Sequence, residues 1–206
     1  MSISTLNKLT VPLASDASAT SQGLLMPKLS YRFRISLENF GVSTPTTELT
    51  KQVMNADRPS ADFDDIVLDV YNSRINLPGK PTWKELNITI RDDATGQVQK
   101  LVGEQMQKQF DFYEQSSAAS GIDFKFTTRI EMLDGGNGAN LPVVLETWEL
   151  YGCYIKSVNY GKLDYKESAA LQIDLTLKFD NALQTPQGTG IGTAIARTVG
   201  TIAVGS

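Results

Sequence analysis

The chain has 206 residues, of which 41% are hydrophobic and 20% charged, and this favours one domain with a buried core, with or without extensions. It contains no histidine and one cysteine, Cys153, which excludes Ser-His-Asp and Cys-His nucleophile pairs, histidine-bearing zinc sites and an internal disulfide. The net charge is −4 overall and −6 over 29–184, which argues against tight binding to a phosphate backbone. Because the chain has no long apolar run and no signal-peptide pattern at its start, we expect no membrane anchor.

The first 28 residues carry Ser, Thr, Ala and Leu without a sustained period, and we predict an N-terminal arm over 1–28. Alternation of apolar and polar residues then predicts a strand over 28–37. A second strand is predicted from Ile66 to Leu77, followed by a Pro-Gly-Lys-Pro turn at 78–81. The same alternation predicts further strands over 84–92, 122–132, 143–151, 153–160 and 170–179.

One helix interrupts these strands. Apolar residues recur every three or four positions between 95 and 116, which predicts a helix covering one face of a sheet. The Gly-rich segment 135–138 is predicted to be a hairpin tip. The pattern therefore predicts a mainly β fold: an antiparallel β-sandwich or barrel over 29–183, with one flanking α-helix and extended N- and C-terminal arms.

The segment 184–206 is rich in Gly, Thr and Ala and is almost uncharged, and it is the predicted C-terminal arm. Alone it could not bury enough apolar surface to offset the entropy of ordering. Its β-branched residues favour an arm that orders against a neighbouring subunit over a solvated tail.

No catalytic site is predicted. The acid pairs Asp64-Asp65 and Asp92-Asp93 lie on or beside strands, where adjacent side chains point to opposite faces, so they do not converge; Asp93 is instead a candidate helix cap. The Gly-rich segment lacks the Gly-Lys-Ser/Thr of a phosphate loop. Cys153 is predicted to be a buried thiol, and core and interface roles are favoured over a stacking platform for the aromatic residues Trp83, Trp148, Tyr151, Tyr154 and Tyr160.

Two segments carry more specific patterns. In SRINLPGKPTWKELNITIRDD (73–93) a basic-apolar strand leads through a Gly turn and an aromatic to an alternating strand and an acid pair. In 146–183 a strand leads to a Gly-x-aromatic corner at Gly152 and Tyr154, then to a Gly-x-Leu-Asp loop and a long strand ending in Phe-Asp-Asn. Together they resemble the tail tube proteins of contractile-tailed bacteriophages and, more loosely, tubes of related injection systems. The resemblance departs at Ile155, where the family often has proline.

The resemblance implies a non-enzymatic structural subunit without cofactors, located in the virion and assembled in the bacterial cytoplasm. Six copies form a ring, and stacked rings form a hollow tube inside a contractile sheath. Implied partners are further copies of the chain, the tail sheath protein, and the baseplate and tail terminator proteins. Genome DNA passes through the lumen without specific binding, and a lining of acidic and neutral groups suits this passage.

By the same resemblance, Arg74, Gly79, Trp83 and Asp180 are the candidate residues for loop geometry and inter-subunit contacts, with turn formation and packing inside one subunit as the alternative. The segment 41–65 is expected to be the loop that reaches the adjacent ring. Three other functions remain open: a tube subunit of a pyocin or type VI-like system, a monomeric ligand-binding β-sandwich, and a carboxylate-dependent hydrolase.

Overall fold

A computed structural model describes residues 27–42, 47–134 and 142–185, so the Gly-rich segment and most of both arms lie outside the described residues. The chain divides into two compact units, 1–32 and 33–206. In the described part of the first, the Arg32 N–H donates to the Leu29 carbonyl. The helices of the second are α1 (Thr47–Gln52), α2 (Gln97–Gln109) and α3 (Gly121–Phe124). Its strands are β1 (Phe33–Glu38), β2 (Val53–Ala56), β3 (Ala61–Val70), β4 (Ser73–Trp83), β5 (Leu86–Arg91), β6 (Phe110–Asp111), β7 (Ser116–Ser117), β8 (Phe126–Leu133), β9 (Val144–Asn159), β10 (Gln172–Lys178) and β11 (Asn181–Thr185).

Strand β9 belongs to two sheets. Up to its corner at Gly152 it pairs with β8 and β11, and beyond the corner it pairs with β10. The first sheet is therefore β1-β8-β9-β11 and the second is β9-β10-β5-β2, with all these pairings antiparallel. The prediction of a mainly β, antiparallel sandwich is confirmed, and the two strands predicted at 143–151 and 153–160 are one bent strand.

The core lies between the two sheets and beneath α2. Buried side chains alternate with more exposed ones along β1, β5, β8 and β10, so each sheet has one buried face and one face exposed to solvent. Helix α2 adds Val98, Leu101 and Val102, and α1 adds Leu49. The core residues from the sheets include Ile35, Leu37, Leu86, Ile88, Ile90, Phe126, Ile130, Trp148, Leu150, Ile155, Ile173, Leu175, Leu177 and Ala182.

The helix predicted over 95–116 ends early. Phe110 adopts an extended conformation with φ of −151° and begins β6, so the apolar period that continues to Tyr113 does not reflect a buried face. Tyr113 is 94% exposed. Similarly, the strand predicted over 122–132 begins only at Phe126, because α3 occupies the preceding residues after a cap in which Ser120 Oγ accepts from the Ile122 N–H.

The Pro-Gly-Lys-Pro turn predicted at 78–81 is wrong. Strand β4 runs through these residues, and the chain reverses instead at Tyr71 and Asn72, between the paired residues Val70 and Ser73. Tyr71 has a φ of +50°, a conformation rarely adopted by an aromatic residue, so composition did not indicate a turn there. The 66–77 segment therefore forms the end of a hairpin outside the two main sheets.

Two glutamine side chains of α2 form hydrogen bonds with backbone groups of other elements. Gln105, which is fully buried, accepts from the Gly41 N–H at 3.0 Å and donates to the Phe124 carbonyl at 2.6 Å. One turn later, Gln109 accepts from the Ile155 N–H at 2.8 Å and donates to the Ile155 carbonyl at 2.9 Å. The helix is thus joined by hydrogen bonds to the loop after β1, to α3 and to β9.

The N-cap of α2 is Gly96, not Asp93 as predicted, but Asp93 bonds the first turn of the helix from three residues before the cap. Its carboxylate accepts from the Thr95 hydroxyl and from the Val98 N–H, the latter at 3.1 Å. These two hydrogen bonds lower the pKa of Asp93 from its ordinary value of 3.8. Because the folded state favours the ionised carboxylate, this stabilisation is complete above the unfolded pKa and is lost as the pH falls through the folded pKa.

We expect Asp93→Asn to weaken the dependence of the free energy of unfolding on pH under acidic conditions. Asparagine does not ionise, so the variant should lose some stability above about pH 4 and close the gap to the wild type at lower pH. Urea unfolding on both sides of the ordinary aspartate pKa measures this. Thr95→Val, which removes the largest contribution to the lowered pKa, should give part of the same effect. An Asp93→Asn curve parallel to the wild type at every pH would contradict the assignment.

Candidate assembly surface

A two-stranded hairpin formed by β3 and β4 extends beyond the main sheets. The two strands pair only with each other among the described strands, and most of their side chains are exposed. Cross-strand pairs join Ile66 to Leu77 and Leu68 to Ile75. The side chains on this side form what we call the apolar face of the hairpin, and each is between 43% and 49% exposed: Ile66, Leu68, Val70, Ile75 and Leu77.

The opposite side of the hairpin is polar. Arg74 lies there, and its Nε is 2.8 Å from Oδ1 of its cross-strand partner Asp69. Both side chains are more than 70% exposed, so the pair contributes little to stability on its own. This side also carries apolar residues: Val67 opposite Asn76, Pro78 opposite Asp65, and Phe63, which is exposed. An amphipathic hairpin with no packing partner among the described strands of its own subunit is typical of an interface element.

Gly79 occupies a bulge in the hairpin. Phe63 pairs with Pro81 and Asp65 with Pro78, so two residues of β4 lie opposite Asp64 alone. A Cβ at Gly79 would lie 2.8 Å from the backbone oxygen of Asp64. Because that atom belongs to the backbone, a side chain at this position would force the two strands apart.

Trp83 and Asp180 lie at two corners of the main sheets. Trp83 ends β4 and is partly buried, and its ring packs on Phe179 with 5.6 Å between centroids. The next residue, Asp180, donates its N–H to the Tyr151 carbonyl and pairs its carboxylate with Lys125. That carboxylate covers Gly152, where a Cβ would overlap Oδ2 of Asp180.

Of the four candidate contact residues, Arg74, Gly79 and Trp83 are therefore on the hairpin, Trp83 at its base, and Trp83 and Asp180 make contacts inside the subunit. The segment 41–65, expected to be one loop, contains α1, β2 and the first residues of β3. Glu146, a carboxylate buried in the first sheet, was not predicted as a functional residue, although its place two residues before Trp148 on an alternating strand indicated an inward side chain.

The outer faces of the two sheets differ in chemistry. On the first sheet, Arg34 pairs with Glu131, and Arg129 pairs with both Glu38 and Glu149 at 3.2 and 3.1 Å. We call this the charged face. The neighbouring Tyr151 donates its hydroxyl to Glu149, and this hydrogen bond to a carboxylate raises the pKa of Tyr151.

The outer face of the second sheet carries small uncharged groups and the carboxylate of Asp174, and beside it Asp57 accepts from the side-chain amide of Asn87 at 2.9 Å. Thr89 donates to Asp174 at 2.8 Å, and Thr176 donates to Asn87 at 3.1 Å. We call the following residues the polar face: Asn87, Thr89, Ser157, Asn159, Asp174 and Thr176. Three cations border these residues on the same strands: Arg91 and Lys178 at strand ends, and Lys156, which precedes Ser157 and pairs with Glu85.

Other chemistry is limited in the described residues. They contain no group of three His, Cys, Asp or Glu side chains that could hold a metal ion. Cys153 is buried as predicted, and burial raises the pKa of its thiol. Trp148 points into the core while Tyr151 is 40% exposed on the charged face, so these aromatics do not form one platform. Within the same residues, no helix is long and apolar enough to span a bilayer.

No protein-family model and no curated protein matches the chain. Solved structures do. A chain in the anti-feeding prophage cap, which terminates the tube, matches with a TM-score of 0.59 at 15% identity over 82% of this chain and 97% of its own length. A chain in the six-fold symmetrised anti-feeding prophage baseplate matches with a TM-score of 0.58 at 15% identity, over 79% and 97%. A chain in the sheath-tube complex of the extracellular contractile injection system PVC matches with a TM-score of 0.53 at 14% identity, over 77% and 91%.

At these identities the matches establish the fold. The chain has the fold found in components of contractile injection systems, and the fold implied by the resemblance to tail tube proteins is confirmed.

Proposed function

We propose that the chain is the repeating subunit of a hollow tube in a contractile particle, built from stacked six-membered rings. The observation that carries this proposal is the hairpin, whose apolar face has no partner among the described strands of the subunit. A contact between this face and a different surface of the next copy is heterologous, and such contacts build closed rings or open filaments. The fold shared with components of contractile injection systems supports the same assembly.

The role is structural, with no chemical turnover. In the phage form of the proposal the particle is a virion, the tube lies inside a contractile sheath between baseplate and terminator, and genome DNA passes through it. The solved structures with this fold come from an anti-feeding prophage and an extracellular injection system, which favours a second candidate within the same class. That candidate is the tube of an injection system that conducts protein. Capsid and terminase genes beside the coding sequence would distinguish the phage tube from it.

The tube proposal is tested by negative-stain electron microscopy of the full chain over a range of concentrations and salt. Hollow rings or tubes are the expected result. A monomer at every concentration, with a saturable ligand that changes tryptophan fluorescence, would favour the ligand-binding β-sandwich instead.

The polar face is the wall of the conduit in this proposal. The charged face carries two arginines and three glutamates paired with one another, and such ionised groups offer points of attachment to a charged polymer. The polar face offers hydroxyl and amide groups that are already bonded to one another, together with one carboxylate. Such a surface lets a charged polymer slide without specific binding.

A cysteine introduced on the polar face should be reachable only through the lumen after assembly. Thr176→Cys is expected to react with a small maleimide in tubes and free subunits alike, and with a polymer-linked maleimide only in free subunits. Cys153 does not interfere, because it is buried and its raised pKa keeps the thiol protonated. Thr127→Cys, on the outer side of β8 and of similar exposure, is the matched control. Reaction of Thr176→Cys with the large reagent in tubes, at the rate of free subunits, would contradict this assignment.

A further inference from the structure

The hairpin and part of the second sheet form one long ribbon. Strand β2 pairs with β5 inside the sheet, and β3 pairs with β4 beyond it. Between the two pairings the ribbon is joined by hydrogen bonds from Asp57 N–H to the Asn87 carbonyl and from Lys84 N–H to the Ser60 carbonyl. The residues 57–60 therefore form a linker between the part held in the sheet and the part that projects.

Arg58, in this linker, is bonded to the other sheet. Its guanidinium is 2.6 Å from Oε1 of Glu146 on β9. The same oxygen accepts from the indole N–H of Trp148 at 2.6 Å and from the side-chain amide of Gln184 on β11 at 3.0 Å. One carboxylate oxygen thus joins the linker to two strands of the first sheet.

The burial of the Glu146 carboxylate is unfavourable unless all of its hydrogen bonds are formed. Glu146 is only 4% exposed, and among the described residues it is the one carboxylate that is buried. Burying an ionised carboxylate is strongly unfavourable unless charge-assisted hydrogen bonds offset the loss of water. Trp148 and Gln184 are fixed within the sheet, whereas Arg58 is 59% exposed and enters from the linker. The Glu146 carboxylate therefore has all of its hydrogen bonds only when the linker runs in the direction that brings Arg58 to it.

We infer that Glu146 is a positioning residue that sets the direction of the hairpin through Arg58. The packing of Trp83 on Phe179 holds the other strand at the base of the hairpin, so both strands are fixed where they leave the sheet. The consequence for assembly rests on the proposed function: a hairpin held in one direction meets the next copy without losing further conformational freedom.

The direction of the hairpin can be measured in free subunits. Spin labels on Asn72→Cys, at the tip, and Thr127→Cys, on β8, should give a narrow distance distribution by double electron-electron resonance. Arg58→Met keeps the apolar stem but removes the guanidinium, and should broaden that distribution at least twofold. Arg34→Met, which removes an exposed ion pair of the charged face, should leave it unchanged. An unchanged width in Arg58→Met would overturn the inference.

Assembly gives the second readout. Arg58→Met should raise the concentration needed for tube formation about tenfold, which corresponds to about 1.4 kcal/mol per contact, with Arg34→Met near the wild type. Arg58→Lys, which keeps the charge, should recover part of the loss. Equal assembly by Arg58→Met and the wild type would overturn the link to assembly. If the wild type forms no tubes, the proposed function fails while the spin-label result still decides the positioning role. Should Arg58→Met lose its native circular dichroism, Glu146→Gln carries the same comparison.

Discussion

Leu68→Asp is expected to leave the subunit folded and to raise the concentration needed for tube formation about 100-fold or more. Leu68 is 45% exposed and lies opposite Ile75 at the centre of the apolar face. The contact with the next copy would bury the exposed part of the Leu68 side chain, and losing that burial costs about 1 kcal/mol. Placing a carboxylate in the apolar contact adds about 2 kcal/mol. A total of about 3 kcal/mol per contact corresponds to the stated factor. Sedimentation at increasing concentration, followed by electron microscopy, measures it.

Val67→Asp is the matched control for this prediction. Val67 precedes Leu68 on the same strand, has a similar exposure of 51%, and points to the polar side of the hairpin. The same charge there should change the assembly concentration by less than about tenfold. Urea unfolding should give both variants a free energy within about 0.5 kcal/mol of the wild type, as for other surface substitutions. If Val67→Asp blocks assembly and Leu68→Asp does not, the apolar face is not the contact.

Gly152→Ala is expected to lower the free energy of unfolding by about 2–3 kcal/mol. Gly152 has a φ of +69°, a conformation that costs a residue with a Cβ about 1–2 kcal/mol. In addition, the new Cβ would overlap Oδ2 of Asp180, so the carboxylate must move and release Lys125. An exposed ion pair of this kind contributes up to about 1 kcal/mol. Equilibrium unfolding in urea measures the sum.

Two variants separate the contributions to this loss. Gly96 has a nearly identical φ of +71°, but a Cβ added there would have no atom within 4 Å, so Gly96→Ala should show the backbone cost alone. Asp180→Ala removes the overlapping carboxylate but keeps a Cβ 3.2 Å from the new methyl group, so in that background Gly152→Ala should cost less than in the wild type and slightly more than Gly96→Ala. Equal losses for Gly152→Ala and Gly96→Ala in the wild-type background would show that Asp180 does not restrict this corner.

Strands with strict alternation were predictable. The strand predicted over 170–179 contains all of β10, because one side of that strand is buried and the other faces solvent. The end of α2 was not predictable, since the apolar period continues through residues that pack outside the core. The hairpin was predicted as one strand and a turn because Pro78, Gly79 and Pro81 are typical turn residues. In the fold they occupy a bulge of a strand outside the main sheets, where prolines and a bulge are tolerated.

The surroundings of the four candidate contact residues could be predicted only in part. Arg74 and Gly79 belong to a strand that is exposed because the rest of the subunit does not pack on it. Local sequence patterns do not show which strands remain uncovered in the fold. The buried polar side chains were missed for the same reason. Glu146 has partners 88 and 38 residues away along the chain, and Gln109 bonds a strand 46 residues away. Hydrogen bonds between such distant residues leave no period in the sequence.

The pairing of Gln109 with Ile155 determines where strands can be added. The side-chain amide occupies both backbone groups of Ile155 that a strand from another chain would need for pairing. A strand from another chain therefore cannot pair with the second half of β9 at this residue. A strand from another copy would have to pair at a different edge of the sheets.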